Sequence, residues 1–179
     1  MQLAAMELSA HVAAFLSLLL CVSAMHKYVQ RDRLGAAAAK LARVPAQRAP
    51  ALLMVAALFE VCAAIALSLA STRTVGGLLA AIVWSGYLAL IVRAVRSGEE
   101  DLDCGCSFGV ADHAGSAPGE FEIVRNIALI GMAVYVALTA HLVGSVSAGA
   151  FALMSGVLAL VLYAVVDQLA ANTQARYLP

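Results

Sequence analysis

Charge is the first thing this chain lacks. Only 12% of its 179 residues are Asp, Glu, Lys or Arg, roughly half the share found in ordinary soluble domains. Hydrophobic residues make up 63% and the mean hydropathy is +0.91, a balance that excludes a soluble globular protein and leaves an integral membrane protein. Net charge is missing as well, because eleven Lys and Arg offset eleven Asp and Glu. Without a basic surface, no nucleic-acid partner is expected. A disulfide scaffold is also absent: of four cysteines, Cys21 and Cys62 lie inside apolar runs, where free cysteine behaves as a small buried hydrophobe. The N-terminal Met1 to Glu7 has no basic n-region, and no small-residue cleavage site leading into a polar mature chain follows the first apolar run, so that run is expected to be retained as a span.

What is present is oil in long pieces. A run of about 20 apolar residues crosses a hydrocarbon core of about 30 Å, and on that measure the chain is one all-α domain, a polytopic helical bundle with five transmembrane spans at about 8–25, 51–69, 75–95, 123–143 and 146–166. The first closes on His26-Lys27-Tyr28, an interfacial anchor by composition. Segment 29–50 carries Arg31, Arg33, Lys40, Arg43 and Arg48 beside an apolar face of Ala36 to Ala39 and Leu41, which predicts a helix on the bilayer surface, ended by Pro45 and Pro50. The loop after the second span is so short that the third must return beside it as a hairpin. In the last span Ala148, Ala152 and Gly156 recur every four residues, a small-residue face suited to close helix contact.

The remaining polar stretch, 97–122, holds the sequence Asp101-Leu102-Asp103-Cys104-Gly105-Cys106. Cys104 and Cys106 are the accessible thiols. A disulfide across one glycine closes a very small, strained and therefore oxidising ring, with Gly105 supplying the backbone freedom. Such a pair passes oxidising equivalents by thiol exchange or relays electrons to a membrane quinone. The acidic neighbours Glu99, Glu100, Asp101 and Asp103 disfavour a thiolate, which suits a disulfide attacked by another protein's thiolate better than a nucleophile of its own. The same two thiolates with His113, and Asp112 or Asp103, could instead hold zinc, copper(I) or mercury(II). A third reading makes the loop a docking element in a non-catalytic anchor subunit. On residues alone these alternatives stay open.

Inside the spans, Glu60 is a carboxylate in mid-membrane, for which proton relay or cofactor contact competes with a protonated acid hydrogen-bonded to a neighbouring helix. Trp84 and Tyr87 lie one turn apart and could flank a quinone ring or simply pack. Tyr135 and His141 read as packing or interfacial residues. Alternation of five spans puts the basic segment, the cysteine loop and the C-terminus on one side, and of the eleven Lys and Arg only Arg73 falls on the other. The positive-inside rule alone therefore makes the cysteine side cytoplasmic.

The order of these features resembles a known family. A first span ending in His26-Lys27, a Pro45 linker, a second span with Glu60, a third leading into Asp103-Cys104-Gly105-Cys106 and a fourth opening with Val124-Arg125-Asn126 is similar to the methylamine utilisation protein MauE family. Its architecture looks related to the DoxX-like proteins, vitamin K epoxide reductase and DsbB. The resemblance implies a multi-pass protein of the plasma membrane that assists maturation of the disulfide-rich beta subunit of methylamine dehydrogenase, with a thioredoxin-like partner. It further implies Cys104 and Cys106 as the redox pair, Glu60, Arg125 and Asn126 as supporting residues, and the cysteine loop on the outer face, against the charge count. One departure stands out: the quinone-linked relays use two accessible cysteine pairs and this chain has one.

Overall fold

In lipid, every backbone amide and carbonyl must find its partner within the protein, and a helix does this segment by segment. The computed structural model describes residues 2–97, 120–139 and 148–177, and among them there are helices and turns but no strand. In chain order these are α1 (Gln2–Val29), α2 (Arg31–Ala42), α3 (Ala49–Ser68), α4 (Arg73–Arg96), α5 (Glu120–Thr139) and α6 (Ala148–Tyr177), with 3₁₀ turns at Ala46–Arg48 and Ala70–Thr72. Five stretches are long and apolar enough to cross a membrane: Glu7–Val29, Ala46–Ser68, Ala70–Arg96, Phe121–Thr139 and Ala150–Ala170. The expected five-span helical bundle is therefore what forms. Helix α6 continues ten residues past Asp167.

Helix α1 is the centre of the bundle, packed on α3, α5 and α6, while α4 packs on α3 and α5. The shared core holds Leu16, Leu20, Leu67, Ala80, Trp84 and Val136. Because lipid competes equally for apolar side chains, close packing has to come from small residues that let backbones approach. A Cβ on Gly76 would lie 2.4 Å from the Leu67 amide nitrogen across the α3–α4 hairpin, and one on Gly77 would lie 2.8 Å from the Ala133 carbonyl of α5. The expected small face of α6 meets α1 in the same way: Ala152 is buried, and a Cβ on Gly156 would be 3.1 Å from Ala14.

Segment 29–50 does contain a helix. Its end is marked by Arg43 in the left-handed conformation (φ 53°), with the Val44 amide reaching back to the Ala39 carbonyl, a Schellman-type stop ahead of Pro45. The face of α2 carrying Leu34, Ala38, Leu41 and Ala42 turns toward α3 and α4, where these residues line a cavity. One expectation fails. Cys21 and Cys62 are exposed on the outside of the bundle, not buried in it, because an apolar run does not distinguish a face turned to lipid from one turned to a neighbouring helix.

Candidate functional site

The buried charged groups, Lys27, Glu60, Arg125 and Asp167, gather between the middle of the bundle and the end where residues 98–119 connect α4 to α5. Glu60 is 0% exposed, and one of its oxygens, Oε1, accepts three hydrogen bonds: from Ser23 Oγ at 2.9 Å, Lys27 Nζ at 2.9 Å and Tyr87 Oη at 2.7 Å. Lys27 Nζ also donates to Ser23 Oγ at 2.6 Å and sits 5.0 Å from the centroid of the Tyr87 ring, within cation–π range. Three helices thus converge on one carboxylate oxygen. The second oxygen, Oε2, is buried without a hydrogen-bond partner.

Helix geometry explains the meeting. Side chains tilt toward the N-terminus of their own helix, so Lys27, near the C-terminal end of α1, reaches back over Ser23 into the bundle. Helix α3 runs the other way, and Glu60 tilts up to meet it. The counter-group of Glu60 is Lys27, from a neighbouring helix and only 2% exposed, so the acid sits in a buried Lys–Glu contact at 2.9 Å. Lys27 is correspondingly not the interfacial anchor that His26-Lys27-Tyr28 suggested. Tyr28 does face outward, 65% exposed.

A second buried ion pair lies nearby in height. Arg125 Nη1 of α5 bonds Asp167 Oδ1 of α6 at 2.5 Å, with both side chains at most 5% exposed. Asn126 is 1% exposed; its Nδ2 donates to the Glu122 carbonyl at 2.8 Å, while Oδ1 is buried without a partner. Lys27 and Asp167 were missed by sequence reasoning. Charge balance could have found them, since a mid-membrane acid and an arginine inside a span each call for a counter-charge on another helix.

Of the other expected site residues, Trp84 is 5% exposed in the apolar core, whereas Tyr87 bonds Glu60 and lines the cavity between α2, α3 and α4. Asp103, Cys104, Gly105, Cys106 and His113 lie outside the described residues. Among the described residues, no three His, Cys, Asp or Glu side chains gather as a metal site.

No curated protein and no solved structure matches the chain. A family model does: it covers residues 5–140, which takes in α1 to α5 together with Lys27, Glu60, Tyr87, the cysteine loop and Arg125. The chain therefore belongs to the family described as methylamine utilisation protein MauE, and its five apolar helices make it a multi-pass membrane member of that family.

Proposed function

We propose that this protein is a membrane thiol-disulfide redox protein that assists disulfide formation in a client, by family the beta subunit of methylamine dehydrogenase, working with a thioredoxin-like partner. Cys104 and Cys106 are the reacting groups. In the exchange, a thiolate of the partner or client attacks the Cys104–Cys106 disulfide and a mixed disulfide forms. A second thiol on the attacking protein then resolves it. One disulfide appears there as one is lost here, and two protons end on Cys104 and Cys106.

Family membership carries this reading. The geometry supports it in one respect: residues 98–119 connect α4 to α5, and buried polar contacts tie both of those helices to the bundle, α4 by the Tyr87 hydrogen bond to Glu60 and α5 by the Arg125–Asp167 ion pair. A strained disulfide transfers well only if its supports do not relax around it. The reading also places the loop on the outer face of the plasma membrane, where disulfides persist; the basic residues on that side then lie along the bilayer surface.

The test is a trapping experiment. A Cys106→Ser variant, or its Cys104→Ser counterpart, keeps one thiol, which attacks the disulfide of an already oxidised partner or client in the reverse of this exchange and should hold it as a mixed disulfide, visible as a reductant-sensitive band on a non-reducing gel. The double variant should give no such band and should leave the client's disulfides incomplete. Full client maturation in cells carrying only the double variant would overturn the proposal.

A further inference from the structure

A cavity of about 480 Å³ lies between α2, α3 and α4, within the size range of small-molecule sites. Its walls are apolar, from Leu34 and Ala38 on α2, Phe59 on α3 and Gly86 on α4, and its polar groups are Lys27 and Tyr87. Phe59 and Ile82, both lining residues, are themselves 51% and 67% exposed, so the cavity opens on the side of the bundle that faces lipid. An occupant would enter from the membrane.

The polar end specifies its chemistry. An ammonium has three protons. Two of those on Lys27 go to Ser23 and Glu60, and beyond them the ammonium, 2% exposed, has the weak acceptor of the Tyr87 ring face, its centroid 5.0 Å away. A buried donor in an apolar site favours an occupant that brings an acceptor oxygen. Charge decides which kind. Glu60 already neutralises Lys27, so an anionic head would enter a site with no net positive charge and leave one carboxylate too many in a low-dielectric setting.

We propose that this cavity binds a neutral lipophilic carbonyl compound, its head oxygen accepting from Lys27 Nζ and its chain lying along Leu34, Ala38 and Phe59. Membrane quinones and acyl esters of bilayer lipids share that chemistry. The site stands apart from the thiol reading, because none of its residues is in the cysteine loop.

The experiment measures equilibrium binding of decyl-ubiquinone and of monodecanoylglycerol to the purified full-length protein in lipid nanodiscs, with decanoate as the charged competitor. At least one neutral probe binds; which of them does tells a quinone from an ester, and decanoate competes at least tenfold less well. A Cβ at Gly86 meets nothing within 4 Å, so Gly86→Leu fills the cavity without pressing on the backbone and weakens binding at least tenfold. The paired Lys27→Met, Glu60→Gln variant removes the donor without stranding a charge and weakens it about fivefold, the value of one ordinary hydrogen bond. A Cys104→Ser, Cys106→Ser protein binds as wild type does, which separates this result from any failure of disulfide exchange. As a check that needs no variant, an azido-quinone or photoreactive ester of the binding class labels peptides containing 34–42, 52–59 or 82–90, the stretches of α2, α3 and α4 that line the cavity. Failure of both neutral probes to bind, equal binding of decanoate, undiminished binding by the Gly86→Leu protein, or labelling confined to other helices would overturn the proposal.

Discussion

The two ends of the bundle are held together by different physics. At the end bearing the α3–α4 hairpin, the contacts are mainly steric and neutral, Arg73 Nε donating to the Leu67 carbonyl at 3.4 Å being the charged exception. Gly76 and Gly77 bring α4 against α3 and α5, Thr139 donates to Ser9 at 2.9 Å, His11 bonds Ser155, and Ser17 donates to the Ala64 carbonyl at 2.9 Å. From mid-bundle toward the cysteine-loop end, the helices are instead tied by two buried ion pairs, Lys27–Glu60 and Arg125–Asp167, beside a cavity. Neutral small-residue contacts are the economical way to join helices in lipid. Buried charges are an expensive way, retained where a site needs them. The contrast is what the proposed function expects of a scaffold end and a working end.

Substitutions on α4 break the comparison most sharply. Gly76→Ala puts a methyl group 2.4 Å from backbone that cannot move aside, and we expect a loss of about 3 kcal/mol or failure to fold, read by thermal unfolding in detergent. The same change at Gly86, with open space around it, should leave the protein as stable as before or raise stability by about 0.5 kcal/mol through helix propensity. Equal penalties at the two glycines would remove the distinction between a tight end and a loose one.

The next effect sharpens the account of the charged end. Lys27→Ala leaves the Glu60 carboxylate buried and unpaired, at an expected loss of about 3 kcal/mol. Because a buried pair contributes little net stability over an apolar replacement, the paired Lys27→Met, Glu60→Gln variant should unfold within about 1 kcal/mol of wild type. Additive losses in the double variant would mean that the two groups do not act as a unit. The smallest effect belongs to the neutral end: Ser9→Ala removes one interhelical hydrogen bond and should cost about 0.6 kcal/mol, detectable as a small shift of the same unfolding curve.

The spans were legible in the sequence because length and hydropathy suffice to find them, and Glu60 was legible because an acid has no ordinary place in such a run. Lys27 was hidden by its neighbours: beside His26 and Tyr28 at the end of a span it has the composition of an anchor, and only the fold shows that its face turns inward. Asp167 was hidden likewise, as the residue that ended an apolar run, although α6 continues beyond it. Which side of a helix meets lipid was legible only where small residues recur, as at Ala152 and Gly156 of α6. In a membrane both sides are apolar, and the exposed Cys21 and Cys62 show the result. Gly76 and Gly77 carried a steric signal that hydropathy does not register.

The central claim is that Cys104 and Cys106 form a disulfide on the outer face, and labelling tests it most directly. Intact cells carrying a Cys21→Ser, Cys62→Ser background are treated with a membrane-impermeant maleimide before and after a gentle reductant. The account predicts labelling only after reduction. Labelling of lysed cells but not of intact cells under either condition would place the loop in the cytoplasm, as the charge count suggests, and would contradict a role in disulfide formation outside the membrane.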